Sequence, residues 1–172
     1  SRRAIVNPRI AWVANPLYRS AIAGELLGYT IADRLRPQPA APDRALLSQT
    51  TAMVKTFERP RLAQRLVSSI HKHYPEMPIV VVDDSASPLE LEGVRMVHLP
   101  HASGTSAGRK AGLHATTTKY ILVLDDDFVL RRHSGVEDAV SVLEHAPHID
   151  IVGGVLRDLP HLSIRDYDKF DT

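Results

Sequence analysis

The sequence contains no cysteine, few aromatic residues and almost no net charge. Without cysteine, the 172-residue chain has neither a disulfide bridge nor a zinc–thiolate site, and it fits a reducing compartment. Its 21 basic and 20 acidic residues leave a net charge of +1, so no overall field attracts nucleic acid or an anionic membrane. Aromatic residues make up 5% of the chain, which argues against an extended base-stacking platform. The composition therefore argues against nucleic-acid binding.

The sequence also lacks a signal peptide and a long apolar run. Its most apolar stretch, residues 10–32, is interrupted by Asn15-Pro16, Arg19 and Glu25. It therefore falls short of the roughly 20 apolar residues that a membrane span requires. The chain opens on Ser1 rather than methionine, which predicts a fragment of a longer protein.

The first 50 residues differ in character from the remainder. Residues 17–36 carry a loose helical pattern, with Leu27, Ile31 and Leu35 spaced by four, which predicts a surface helix packed on the main domain. Three prolines within residues 36–44 then predict a semi-rigid linker. We therefore expect residues 1–50 to form an N-terminal helix and a proline-rich linker, and residues 51–172 to form the main domain.

From Thr51 onward, predicted strands alternate with predicted helices. Strands are predicted at residues 51–56, 78–85, 93–99, 119–124 and 148–154. Helices are predicted from Pro60, over residues 106–115, and after a capping box formed by Ser134 and Glu137. The strands are continuous apolar runs, which favours an α/β fold whose parallel sheet is covered by helices on both faces. Ligands of such sheets bind beyond the carboxyl ends of the strands.

Two of these strands end in clusters of aspartate. Asp83 and Asp84 follow "IVVV", and Asp125, Asp126 and Asp127 follow "ILVL". In a parallel sheet both clusters reach the same edge, and we expect Asp84 and Asp125 at neighbouring strand ends. Such hard oxygen ligands suit Mg2+ or Mn2+ holding a diphosphate. The alternative is that these aspartates only cap turns, but two clusters on one edge favour the metal.

A loop rich in glycine and serine, "HASGTSAGRKAGL", leads into the helix predicted at residues 106–115. Backbone amides at a helix start suit phosphate, and Arg109 would add a charged contact. The loop is neither a Walker loop nor a G-x-G-x-x-G motif.

Four segments, "VKTFERP", "IVVVDDS", "GTSAGRKAGL" and "KYILVLDDDF", occur in this order. Together they resemble the nucleotide-sugar half of family 2, GT-A-fold inverting glycosyltransferases, and most closely the β-1,4-N-acetylgalactosaminyltransferases. The resemblance extends from Thr51 to Asp158. It implies a GT-A (Rossmann-like), three-layer α/β/α nucleotide-sugar-binding domain with a mainly parallel central sheet, and an acceptor-binding half that is missing from this chain.

The resemblance also implies a set of site residues. Thr56 and Phe57 would line the uracil and ribose site, and Asp84 would accept a hydrogen bond from the uracil N–H. Asp125 and Asp127 would form the DxD pair that binds Mn2+ or Mg2+, with Asp127 nearest the metal. The full set implied to bind nucleotide is Thr56, Phe57, Arg59, Asp84, Arg109, Asp125 and Asp126.

The implied reaction is the metal-dependent, inverting transfer of a sugar, an N-acetylhexosamine, from a UDP-sugar to a hydroxyl of a glycan or glycoconjugate acceptor. Such a transfer needs a general base, and none of Asp158, Asp166 and Asp168 matches it. The resemblance places a eukaryotic protein in the Golgi lumen, with any membrane anchor outside this chain, and a microbial one in the cytoplasm.

Two alternatives remain at this point. A domain with this fold can serve nucleotide-sugar binding or assembly without catalysis. "LDDDF" is also similar to the first motif of haloacid-dehalogenase-type phosphatases, with Asp125 as nucleophile and Asp127 as acid/base. That family needs further motifs far downstream, for which too little chain follows.

Overall fold

The computed structural model describes residues 44–154, 156–158 and 163–164, together with single helical positions between residues 20 and 35. The chain divides into two compact units. One comprises Pro39–Val152 and the other comprises Ser1–Gln38 with Gly153–Thr172. No helix in the part of the chain that the structure describes is both long and apolar enough to cross a membrane.

The 39–152 unit alternates strands with helices along the chain. Its elements are α1 (Arg44–Ser48), β1 (Thr50–Thr56), α2 (Pro60–His73), β2 (Ile79–Asp83), β3 (Arg95–His98), α3 (Thr105–Ala115), β4 (Tyr120–Asp125) and α4 (Val136–His145). In the other unit, β5 (Arg157–Asp158) pairs with β6 (Ser163–Ile164) in an antiparallel ladder.

The sheet of the 39–152 unit is parallel throughout, as the apolar strands predict. Its strand order is β3-β2-β1-β4, with β1 paired to both β2 and β4. The register sets Thr56 opposite Asp83 and Lys55 opposite Asp125. Asp84 and Asp125 therefore lie at the same edge of the sheet, as predicted. The expectation of neighbouring strands was wrong, because β1 lies between β2 and β4.

Side chains alternate between the two faces of the sheet and build a core on each. The larger core contains Ala52, Val54 and Val81, together with buried residues of α1, α2 and α4. The smaller core contains Val80 and Val82, against Ala111 and Ala115 of α3. This arrangement confirms the predicted three-layer α/β/α architecture.

Helix α2 begins as predicted, with Pro60 in its first turn, where the missing N–H has no partner to lose. The capping box predicted for α4 was wrong. Gly135, in a left-handed conformation, precedes the helix and no side chain caps it. The Ser134 hydroxyl instead accepts a hydrogen bond from the Arg131 amide (2.8 Å).

The strand predicted at residues 148–154 is also absent, because residues 149–154 carry no regular structure. Ile151 is 86% exposed, so the apolar run does not enter a sheet.

The described positions between residues 20 and 35 are helical, as predicted. The apolar stripe is exposed there, with Leu27, Ile31 and Leu35 at 62%, 49% and 80%. The proline-rich linker predicted within residues 36–44 lies, except for Arg44, outside the described residues.

Candidate functional site

The candidate site lies where the parallel strands end. Thr56 closes β1, Asp83 closes β2 and Asp125 closes β4, so their polar side chains meet at one edge. Helix α3 starts beside this edge, since the amide of its preceding residue, Gly104, donates to Asp84 (2.8 Å). The sheet thus brings the two predicted acid clusters and the glycine-rich loop together.

Asp84 is held by a buried ion pair with Lys55. The ammonium of Lys55 contacts one oxygen of Asp84 and also donates to the carbonyl of Thr56 (2.6 Å). Asp84 is 1% exposed. Burial raises the pKa of Asp84, but the hydrogen bonds from Lys55 and from the Gly104 amide, with the charge of Lys55, outweigh it and leave the pKa below its ordinary value. Asp84 is therefore a fixed, ionised acceptor.

Sequence inspection missed Lys55, the one charged side chain of β1. Its alkyl chain passes under α3, where a Cβ on Gly108 would come within 2.3 Å of the Lys55 side chain. Two features of the sequence could have indicated this packing. One is a lysine near the end of an apolar strand, and the other is the pair Gly108 and Gly112, one turn apart in the helix that covers it.

Asp83 has a structural role. Its carboxylate accepts hydrogen bonds from the amide and hydroxyl of Ser85 (3.0 and 2.5 Å) and from the amide of Leu89 (2.8 Å). The side chain is buried, so these bonds fix the turn that follows β2. For Asp83 the turn-capping alternative is correct.

The aspartate triplet at the end of β4 is split between the interior and the surface. Asp126 is 1% exposed and accepts a hydrogen bond from the hydroxyl of Thr56 (2.9 Å). Its other oxygen has no hydrogen-bond partner in the structure, and the Arg59 guanidinium lies 3.3 Å away. Asp126, predicted to bind nucleotide, is thus engaged with Thr56 and Arg59, and the Thr56 hydroxyl is directed to Asp126.

Asp125 and Asp127 are exposed, with side chains 57% and 55% accessible. Arg109 of α3 donates to Asp125 (3.2 Å) and Arg59 lies 4.0 Å from Asp127. The carbonyl of Asp127 accepts a hydrogen bond from Arg65 (3.2 Å). Two arginines thus offset the charge of the triplet.

The donor set fits a divalent metal that is shared with a ligand. Among the described residues, no three His, Cys, Asp or Glu side chains form a group that could hold a metal ion. Asp125 and Asp127 nevertheless present two exposed carboxylates, two residues apart, at the sheet edge. Mg2+ and Mn2+ are hard ions that prefer oxygen ligands. Mg2+ is typically bound by one or two carboxylates and completes its coordination shell with phosphate and water.

Two aromatic rings stand beside the Lys55–Asp84 pair. Phe57 and His101 have ring centroids 5.5 Å apart and tilted by 33°. The Lys55 ammonium lies 5.8 Å from the centroid of Phe57. Phe57 was predicted to line the uracil site, whereas His101 was not among the residues predicted to bind nucleotide.

The predicted site residues of the 39–152 unit all lie at this edge. Asp158, a candidate base that could not be matched, lies on β5 in the other unit, and Asp166 and Asp168 lie outside the described residues.

Comparison with known proteins identifies the family of the chain. The sequence profile described as Glycosyl transferase family 2 matches residues 51–163. The chain is 39% identical to mouse beta-1,4 N-acetylgalactosaminyltransferase 2 over 66% of its own length and 22% of that protein. It is 37% identical to human beta-1,4 N-acetylgalactosaminyltransferase 1 over 73% of its length and 24% of that protein. The chain thus spans about a quarter of the length of these relatives.

Among solved structures, the chain is similar to a mannosyltransferase from Pyrobaculum calidifontis in complex with GDP-Man and Mn2+. The TM-score is 0.46 at 21% identity, over 76% of this chain and 43% of that one. The family match includes the acid triplet, which leaves no support for the phosphatase alternative. The chain belongs to Glycosyl transferase family 2.

Proposed function

We propose that this chain is the nucleotide-sugar-binding part of a glycosyltransferase that moves an N-acetylhexosamine from a UDP-sugar to a hydroxyl of a glycan or glycoconjugate, with inversion. The observation that carries the proposal is that Asp84, Asp125 and Asp127 lie along the same edge of the sheet. The similarity to N-acetylgalactosaminyltransferases supports the sugar class. The corresponding location is the Golgi lumen in a eukaryote and the cytoplasm in a microbe.

Asp84 is the proposed reader of the base. Each of its oxygens accepts one hydrogen bond within the protein, and a carboxylate has about four lone-pair sites. A further bond from the N–H of uracil is therefore compatible with the Lys55 pair. Cytosine lacks this N–H, so an ionised acceptor here selects uracil.

The acid pair and the arginines are the proposed diphosphate site. Asp125 and Asp127 would hold Mn2+ or Mg2+, which as a Lewis acid stabilises negative charge on the departing UDP. Arg109 is 47% exposed and Arg59 54% exposed, so both guanidinium groups can contact phosphate oxygens. Buried Asp126 would hold the backbone between the two metal ligands through its contacts with Thr56 and Arg59.

A non-catalytic nucleotide-sugar-binding domain is the second candidate. An inverting transfer needs a general base. No carboxylate among the described residues has been matched to that base, and this observation favours the second candidate. A transfer assay on this chain and on any longer protein that contains it separates the two candidates, because both predict UDP binding.

The test is UDP affinity by calorimetry, in Mn2+ and in EDTA, for the wild type and for Asp127→Ala. We expect the wild type to bind UDP at least about tenfold more tightly with Mn2+, and Asp127→Ala to lose that difference. The control is Asp150→Ala, which removes an exposed aspartate outside the site.

Equal UDP affinity of the wild type in Mn2+ and in EDTA would refute the metal assignment. An absence of UDP binding in both conditions would refute the proposed function.

A further inference from the structure

Two ring-bearing loops are pinned together at the carboxyl edge. Phe57 follows β1, and His101 lies in the loop between β3 and α3. The backbone amides of Leu99 and Ala102 donate to the carbonyls of Asp83 (2.9 Å) and Asp84 (3.0 Å), respectively. His101 is therefore anchored on both sides, to Asp83 at the end of β2 and to Asp84 directly after it.

The Phe57 loop is fixed as firmly. The Glu58 amide donates to the Ser85 hydroxyl (2.7 Å), and the Glu58 carboxylate accepts from the Ala86 amide (2.8 Å). The same carboxylate lies 3.8 Å from Nδ1 of His101, so one acidic group joins the two loops.

Backbone strain coincides with the two rings. Glu58 and Ala102 are the non-glycine residues with positive φ in the described part of the chain, at 55° and 57°. Each directly follows a ring-bearing residue, Phe57 or His101. Strained conformations of this kind persist where the surroundings enforce them, and they cluster at ligand sites.

The rings are also accessible. Phe57 is 39% exposed, and the side chain of His101 is 57% exposed. They stand beside Lys55, whose partner Asp84 is the proposed reader of the base edge. A planar base that presents its N–H edge to Asp84 would present a face to these rings.

We propose that His101 is an additional base-contacting residue, which forms an aromatic lip with Phe57, already expected to line the base site, and stacks against the pyrimidine base of the donor. This inference rests on the proposed function, because it concerns the same nucleotide. Stacking on an aromatic side chain requires only the face of the base, whereas Asp84 reads its edge. The lip would therefore supply affinity and Asp84 selectivity.

The test compares UDP, uridine and inorganic pyrophosphate as ligands of the wild type, His101→Ala and His101→Phe. We expect His101→Ala to lose about 5- to 100-fold in affinity for both UDP and uridine. Its affinity for pyrophosphate should stay within about twofold of the wild type, because no base is present. The His101→Phe variant should keep UDP affinity within about threefold, because a ring is retained.

The matched control is His98→Ala. His98 closes β3 and pairs with Glu90, and it is not part of the aromatic lip. A direct readout is His101→Trp in a Trp12→Phe background, since Trp12 is the chain's single tryptophan. Its fluorescence should be quenched on titration with uridine and should not respond to pyrophosphate.

Unchanged uridine and UDP affinity in His101→Ala would overturn the lip while leaving the proposed function in place. Failure of the wild type to bind either ligand would overturn both.

Discussion

At the scale of single residues, the aspartate triplet shows how one motif divides into different roles. Successive side chains near a strand end point in opposite directions, so Asp126 turns inward when Asp125 and Asp127 turn outward. Asp126 accepts the hydrogen bond of the Thr56 hydroxyl, and Asp125 and Asp127 remain available to a ligand. This division also lowers the repulsion that three parallel carboxylates would suffer.

The Lys55–Asp84 pair predicts a specific pH dependence of stability. The folded-state pKa of Asp84 is lowered, so its contribution is present above the unfolded-state value of about 4 and is lost as pH falls through the folded-state pKa. Asp84→Asn should destabilise the unit by about 1.5–3 kcal/mol at pH 7. This difference from wild type should begin to shrink below about pH 4, where the unfolded wild-type carboxyl takes up a proton, and should vanish once the pH falls below the folded-state pKa.

The measurement is chemical denaturation of both proteins from pH 3 to 7. Glu144→Gln is the control, because the exposed Glu144–Lys119 pair adds little stability. A gap between wild type and Asp84→Asn that stays constant across this range would contradict the assignment.

Residue roles were only partly predictable from the sequence. The ordered motifs identified the edge and its acids, because strand ends in a parallel sheet share one side. They did not separate Asp83 and Asp126, which are engaged in internal hydrogen bonds, from the exposed acids. Asp126 accepts from Thr56, a hydroxyl 70 residues away in β1, whereas Asp83 accepts from Ser85 in the turn that follows it. Lys55 was missed because its partner, Asp84, lies 29 residues away, directly after β2.

At the scale of elements, α3 packs close to β1 because two of its residues lack side chains. A Cβ on Gly108 would come within 2.3 Å of Lys55, and a Cβ on Gly112 within 2.5 Å of Met53. The two glycines, one turn apart, thus let α3, which follows the glycine- and serine-rich loop, approach the strand that ends at Thr56.

Gly108→Ala should therefore displace Lys55 from Asp84 and cost about 1–3 kcal/mol of stability. Thermal melting and UDP affinity should both fall. Gly28→Ala is the matched control, because Gly28 is also helical and an added Cβ there meets nothing within 4 Å. It should be neutral or slightly stabilising. Equal effects of the two substitutions would contradict the close-packing argument.

Element types followed from the sequence where apolar periodicity was long, as in α2 and the four parallel strands. The prediction of elements failed where it rested on a short stretch of sequence. Ser134 has the chemistry of a helix cap, but its hydroxyl bonds to the Arg131 amide within the preceding turn. Residues 148–154 have the composition of a strand, yet Ile151 is exposed and lies outside the sheet.

At the scale of the whole molecule, the four-stranded sheet has β1 and β2 as interior strands and β3 and β4 at its edges. Among the described strands, β4 pairs only with β1, and Val123 in β4 is 48% exposed. Edge strands with apolar side chains favour pairing between molecules, and an edge lysine opposes it.

Val123→Lys should therefore reduce self-association at high protein concentration, while its stability stays within about 1 kcal/mol of the wild type. Val142→Lys serves as control, since Val142 is 43% exposed but lies on α4, away from an edge. Sedimentation velocity over a concentration series measures the difference. If Val123→Lys and Val142→Lys changed self-association equally, the cause would be the added net charge, and the edge-strand argument would be contradicted.

The end of β1 contacts partners at very different distances along the chain, which sets the order in which the site can assemble during folding. The Lys55–Asp84 pair joins residues 29 apart in sequence, whereas the Thr56–Asp126 bond joins residues 70 apart. Contacts between distant residues close larger loops and form more slowly. In refolding, the base-reading half of the site should therefore appear before the half that carries the acid triplet, and metal-dependent recognition of UDP should be among the last properties that the chain regains.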